Sequence, residues 1–276
     1  MTAGVLYVVA TPIGNLADAS PRAVETLRSA DIVACEDTRT TRTLLARHGI
    51  AARTVALHEH NERRAAATLI AALREGKSVA LVSDAGTPAL SDPGAWLVGE
   101  AHRAGIRVSP LPGPSAAAAA LSVSGFAAER FVFAGFLPAG RSARRKALEA
   151  LDLPWPVVLY EAPHRIAETL EDLLERFGPA REVAIGRELT KMFEEVARLP
   201  LGEVRAWLAG RPQRAQGEFV IVLQAGAAPV AATLDAGRVL DALLEALSPS
   251  DAARLAARIT GAPRNSLYRK ALGRRK

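Results

Sequence analysis

The amino-acid sequence predicts an α/β protein, two α/β domains with a short helical segment behind them, and three observations carry this. Short apolar runs alternate with helix-like patterns along the first 225 residues, as in a sheet covered by helices. Of the 276 residues 49% are hydrophobic but only 5% aromatic, and Ala, Val and Leu dominate, which suits helices on a sheet better than an aromatic sandwich. After the small-residue stretch AGAAPVAA at 225–232, which reads as a linker, every strand signal stops. Domains are expected at 1–114 and 115–228, with the helical segment at 229–276.

The elements follow in order. Gly4 to Ala10 reads as a buried strand, and Ser20 caps a helix with Pro21 at its first position, running to Ala30. Strands are expected at Asp31–Glu36, Thr54–Leu57 and Ser78–Ser83, with Asn61 capping a helix to Glu75. Pro93 opens a helix to Ala104, Gly105 ends it before the strand Ile106–Leu111, and Ser115–Ser124 is an Ala-rich helix that must pack closely. In the second domain strands fall near Phe131–Gly135, Val157–Tyr160, Glu182–Ile185 and Phe219–Leu223, and helices near Ser142–Leu151 and Arg165–Phe177. Strands near Val196 and Phe219 are expected to form an antiparallel portion. Three helices, Ala236–Leu247, Asp251–Ile259 and Asn265–Leu272, complete the chain.

Several classes are excluded. The composition is too apolar for intrinsic disorder, and the single Cys35 permits no intrachain disulfide. With one thiol and no basic region behind Met1, the chain reads as cytoplasmic. Its longest uncharged run, Val108 to Ala128, is broken by three prolines and is no membrane span. No G-x-G-x-x-G follows a strand, and Gly76-Lys77-Ser78 has Ala71 where a P-loop needs its leading glycine. His58 and His60 lack a third ligand at metal spacing, so no metal is expected. The net charge of +6 sits in residues 238–276, with nine basic and three acidic residues, so a polyanion should be met by the tail.

Six polar turns stand just after strand ends: Thr11–Asn15, Glu36–Arg39, Ser83–Pro88, Leu111–Ser115, Glu161–Arg165 and Arg187–Lys191. Ligands of open α/β sheets bind at the carboxyl ends of the strands. The glycines, helix-start donors and mixed charges of these turns suit a ligand bearing both carboxylate and cationic groups.

The turns TPIGN (11–15), SDAGTPALSDPG (83–94) and PGPS (112–115) resemble the S-adenosylmethionine-binding elements of the tetrapyrrole methylase superfamily. FAGFLP (133–138), YEAPHR (160–165) and RELTK (187–191) resemble its subgroup that methylates ribosomal RNA. The resemblance spans essentially the whole chain. It implies two α/β domains with S-adenosylmethionine in the cleft between them, and 2′-O-methylation of a cytidine in the 16S ribosomal RNA of the 30S subunit, by a homodimer. Carried over by motif, Pro12, Asp84, Ala85, Gly86, Thr87, Ser115 and Ala116 hold the donor from the first domain. Glu161, Arg187, Glu188, Leu189, Gly217 and Glu218 hold it from the second.

Methyl transfer to a hydroxyl needs alignment and a proton acceptor. Glu161, His164, Glu188, Glu194 and Glu195 are candidates, with Glu161 and Glu188 ranked first as catalytic because they follow strands. Arg165, Arg187 and Lys191 suit phosphate or ribose, and His164 stands with them at the substrate. The run Arg141, Arg144, Arg145, Lys146 is a second RNA grip. The tail resembles a helix-turn-helix with Leu255, Ile259, Leu267 and Leu272 as its core and Arg264, Arg269 and Lys270 on phosphates. A methylase of a small tetrapyrrole shares the donor site but leaves the basic tail unexplained. A non-catalytic RNA-binding module leaves the six turns unexplained.

Overall fold

Val, Leu, Ile and Ala fill the central strands because both faces of a parallel sheet are buried under helices. In the computed structural model, which describes residues 4–226 and 235–273, β1 (Val5–Val9), β2 (Ile32–Cys35), β3 (Thr54–Ala56), β4 (Val79–Val82) and β5 (Arg107–Leu111) form an all-parallel sheet in the order β3-β2-β4-β1-β5. Leu6, Leu69, Leu73, Leu81 and Leu97 pack one face, and Val9, Leu27, Val33, Leu44 and Leu45 the other. Pro110, which cannot donate to a ladder, is tolerated because β5 is an edge strand.

Helix starts depart from expectation where a distant side chain does the capping. Ser20 caps α1 (Pro21–Ser29) as expected, and Asp37 caps α2 (Thr38–Arg47) by accepting the Arg39 N–H at 2.7 Å. Asn61 precedes α3 (Glu62–Arg74) but caps nothing; its amide bridges His58 N and Ala56 O. Pro93 does not open α4, which runs Ala95–Arg103. The Glu62 carboxylate accepts the N–H groups of Gly94 and Trp96 at 2.9 and 3.0 Å and so sets the start.

The Ala-rich α5 (Ala116–Val123), capped by Ser115, lies on the second sheet, where Ala117 and Ala120 meet Val158, Ala184, Val220 and Val222. Small side chains let the helix approach closely, which its composition foretold. The second sheet contains β6 (Val132–Phe136), β7 (Val157–Glu161), β8 (Glu182–Arg187), β9 (Glu195–Pro200) and β10 (Phe219–Leu223) in the order β6-β7-β10-β8-β9. Helices α6 (Arg141–Glu149), α7 (Ile166–Phe177) and the short α8 (Val204–Ala209) complete it. The expected antiparallel portion near Val196 and Phe219 is present, although β9 and β10 do not pair with each other. Each runs antiparallel to β8, one on either side, and β10 is antiparallel to β7 as well.

Residues 235–273 belong to a separate compact unit. Its helices are α9 (Ala236–Leu244), α10 (Pro249–Thr260) and α11 (Arg264–Gly273). Leu240, Ala252, Ala253, Ala256, Leu267 and Ala271 form its core. The expected leucine core is therefore corrected: only Leu267 is buried, Leu255 is half-buried, and Ile259 and Leu272 are each 51% exposed. Alanines at the crossing bring the helices close enough to push the larger side chains outward. Most of the expected linker, 227–232, lies outside the described residues. Among the described residues no helix is long and apolar enough to cross a membrane.

Candidate active site

The turns after β1, β4 and β5 are stitched together. Thr11 and Gly86 exchange backbone hydrogen bonds of 2.9 and 3.0 Å, the Thr11 hydroxyl donates to Ser83 O, and the Thr87 hydroxyl donates to Pro114 O. Two loops hold non-glycine residues in the left-handed region, Ala89 and Ser91 after β4 and Glu188 and Thr190 after β8. Backbone strain of this kind persists only where the surroundings impose it.

Between the two sheets lies a cleft of about 470 Å³. Asp84, Ala85, Gly86, Thr87, Ala116, Glu161, Leu189 and Glu218 line it, all of them expected. Sequence reasoning missed Glu36, Leu90, Ser91, Asp92, Phe136 and Tyr160, which also line it. Four of these six lie in turns already singled out or in the SDAGTPALSDPG loop. The two aromatics lie in FAGFLP and YEAPHR, the motifs that carry the resemblance, but nothing in those motifs put their rings at the cleft.

Other expected residues stand elsewhere. Pro12 lines an adjoining hollow of about 260 Å³, and Ser115 caps α5. Arg187 and Gly217 do not line the cleft. The buried Arg187 guanidinium donates to Gln216 O at 2.7 Å and Phe193 O at 2.9 Å, tying the end of β8 to the turn before Glu218. His164 is exposed at the start of the α7 turn, and the side chain of Arg165 donates to Leu137 O at 2.6 Å. Arg264, Arg269 and Lys270 are exposed on α11.

Three expectations are corrected by geometry. Arg144 cannot grip RNA, because its side chain has no exposure and is spent on Asp172 at 2.7 Å, Glu168 at 3.0 Å and Ala139 O at 3.1 Å. Arg145 beside it is partly exposed and pairs with Asp172 and Glu175. Glu161 cannot serve as a free base. Its fully buried carboxylate accepts the Thr169 hydroxyl at 2.6 Å and the Ala162 N–H at 2.8 Å, with Arg165 Nε 3.1 Å away. Glu188 fails for another reason: burial pushes its carboxyl up, but the Lys191 ammonium at 2.9 Å and the Glu218 N–H outweigh this and hold it below the usual range. Lys191 in turn bridges Glu188 and Glu218.

The electrostatics of the cleft are one-sided. Glu36, Asp84, Asp92, Glu161 and Glu218 line it, and among the described residues no Lys, Arg or His does. Burial pushes the Glu36 carboxyl up, with Asp84, Asp92 and Asp37 adding to the effect. Asp92 is raised by burial, opposed by the Ser83 hydroxyl and reinforced by Asp84. Asp84 itself is exposed and accepts the Asp37 N–H at 3.0 Å, joining the turns after β2 and β4.

Residues 5–205 match the family model of the tetrapyrrole (corrin/porphyrin) methylases, and residues 230–275 match that of the RsmI C-terminal HTH domain. A ribosomal RNA small subunit methyltransferase I of Xylella fastidiosa is 53% identical over 269 residues, covering 97% of this chain and 98% of its own. Its namesake in Escherichia coli O157:H7 is 48% identical over 271 residues, covering 98% and 95%. Among solved structures, a diphthine synthase shares the fold at 20% identity and TM-score 0.61, over 80% of this chain and 90% of its own. So does a uroporphyrin-III C-methyltransferase from Thermus thermophilus complexed with S-adenyl homocysteine, at 18% identity and TM-score 0.54, over 80% and 97%.

Proposed function

Because the chain belongs to the tetrapyrrole methylase family, we propose that its cleft binds S-adenosylmethionine and that it methylates the ribosomal RNA of the small subunit, on a cytidine 2′-hydroxyl of 16S RNA. One observation carries the reading: among the described residues five carboxylates and no cation line the cleft, with two of the five, Glu161 and Glu218, offset by Arg165 and Lys191. That donor set fits a ligand with sulfonium and ammonium charges and repels a phosphate. When bound, S-adenosylmethionine supplies an activated methyl group for in-line displacement.

The chain's own residues do the rest. Gly86, Thr87 and Ala116 offer backbone and small side chains to a ligand at close approach, and Asp84 accepts from an ammonium group. Leu189 and Glu218 close the opposite wall, while Glu161 and Arg165 hold the β7–α7 turn in place. Asp92 takes the ribose proton, since it lines the cleft, is half-buried and binds a proton more tightly than an ordinary aspartate. Arg264, Arg269 and Lys270 meet phosphates from the separate helical unit, and Arg145, Lys191 and His164 add further contacts.

The small-tetrapyrrole reading explains neither the basic tail nor the full-length similarity to ribosomal RNA methyltransferases. We place the protein in the cytoplasm as a homodimer, on the family resemblance; sedimentation tests the dimer. The deciding experiment is transfer of labelled methyl from S-adenosylmethionine to purified 30S subunits, with mass mapping of the 16S RNA, against transfer to tetrapyrrole precursors. Label in the precursors and none in the RNA overturns the reading.

A further inference from the structure

Phe136, the last residue of β6, lines the cleft and is nevertheless 54% exposed. A large aromatic left open to water at a binding cleft asks for an apolar occupant. The backbone goes out of its way to put it there. Residues three apart on a regular strand face opposite sides of a sheet. Yet Phe133 and Phe136 both pack edge-on against Tyr160, with centroids 5.0 and 5.6 Å away. The cause is a bulge in the pairing of β6 with β7: Phe133 stands opposite Val158 and Gly135 opposite Leu159, so Ala134 is the extra residue. Gly135 takes φ 61°, and beyond it Phe136 turns onto the cleft side.

Gly135 serves a second purpose. A Cβ there would stand 2.8 Å from Ser91 Oγ, so the glycine lets the loop after β4 touch β6. Leu90 and Phe136, the neighbours of that contact, are 45% and 54% exposed and both line the cleft. The rim thus carries two exposed apolar side chains, whereas the cleft carries carboxylates. Phosphates are repelled from such a cleft, so a nucleotide reaching it must be held by its uncharged part.

We propose that Phe136 is the platform on which the target nucleobase stacks when its ribose enters the cleft, with Tyr160 behind the ring holding it in place. This rests on the RNA methylation proposed above. A nucleotide presenting its 2′-hydroxyl to a cleft leaves its own stack, and an aromatic face replaces the lost stacking for any base. Sequence choice then falls to other contacts, and Phe136 contributes affinity for the flipped-out nucleotide.

The test uses the full-length protein, 30S subunits as substrate and saturating S-adenosylmethionine. Phe136→Ala and Phe136→Leu are expected to raise KM for 30S subunits by about tenfold or more, from the free energy of one base–aromatic stack. Phe136→Trp is expected to restore KM to within about twofold, since any aromatic face serves. In all three the change in KM for 30S subunits is expected to exceed any change in donor affinity by calorimetry, and thermal melts show the variants folded at the assay temperature. A leucine as good as phenylalanine, or an alanine variant with unchanged KM, overturns the stacking role alone. Lost donor affinity at unchanged KM reassigns Phe136 to the donor. A wild-type protein that transfers no methyl group to 30S subunits defeats the functional reading, and this proposal with it.

Discussion

Asp172→Asn is the sharpest probe of what the Arg141–Lys146 run is for. The Asp172 carboxylate on α7 accepts from Arg141 Nε at 3.2 Å, Arg144 Nε at 2.7 Å and Arg145 Nε at 2.9 Å. Neither its side chain nor that of Arg144 is exposed. Removing one partner of a buried pair costs about 3–5 kcal/mol, because the other charge is left unpaired. Arg144 keeps Ala139 O and Glu168, and the Glu168 side chain is 68% exposed and well screened, so the lower end applies, about 3 kcal/mol. For a unit of this size that lowers the melting temperature by roughly 6–12 °C.

The pH dependence has a definite sign. Burial pushes the Asp172 carboxyl up, but Arg145, Arg144 and Arg141 outweigh it and hold it below 3.8. A carboxyl depressed by folding stabilises the fold above its unfolded value and loses that effect as pH falls through the folded one. The gap between wild type and variant is therefore full at neutral pH and closes in strong acid. Calorimetry across that range measures it. Melting within about 2 °C of wild type at neutral pH refutes the reasoning, and a gap that persists in strong acid assigns the loss to packing. KM for 30S subunits should not change, since neither buried side chain can touch RNA.

Asp84→Ala raises the Kd for S-adenosylmethionine by about tenfold or more, roughly 1.4 kcal/mol, in calorimetry, and an unchanged Kd removes Asp84 from the site. Asp92→Asn lowers kcat by about 10²–10⁴. Because burial raises the wild-type carboxyl, kcat should fall in acid from above pH 3.8 and that limb should vanish in the variant; a wild-type limb unaltered in Asp92→Asn assigns the proton elsewhere. Ending the chain after Ala228, or reversing Arg264, Arg269 and Lys270 to Glu, leaves donor affinity intact but weakens RNA binding. Each lost phosphate contact removes roughly 0.7–0.9 from the log-log salt slope, and an unchanged slope makes α11 a merely solvated surface.

The alternation of apolar runs and capped helices was legible because β2 and β4 are buried along their whole length, so every residue in them is apolar. Pairing order was not, since nothing in the strand signals of β9 and β10 says that both flank β8. The donor turns were legible because backbone chemistry at a strand end leaves Gly, Pro, Ser and Asp in a row. The roles of Glu161 and Arg144 were not: a carboxylate after a strand reads the same whether it faces a ligand or is spent on Thr169 and Ala162. A basic run likewise does not reveal an acid 28 residues on that buries it, as Asp172 does. Phe136 escaped because a bulge changes which face a residue takes without changing composition.

The carboxylates of the cleft are the same before and after a turnover, while the ligand they hold is not. Methyl transfer turns a sulfonium into a thioether, so the cationic donor leaves a product with one charge less. Five carboxylates in a partly water-excluded cleft attract the first more than the second, at effective dielectrics well below that of water. Salt screens that attraction over a Debye length of about 8 Å at physiological strength. Donor affinity should therefore fall more steeply with added salt than the affinity for S-adenosylhomocysteine, and Glu36→Gln, by removing one carboxylate charge from the cleft, should narrow the difference. Titration of both ligands at low and high salt reads the two slopes directly. Parallel slopes would mean that backbone and apolar contacts alone hold the ligand, and that the carboxylates of the cleft serve the proton of the hydroxyl and not the charge of the donor.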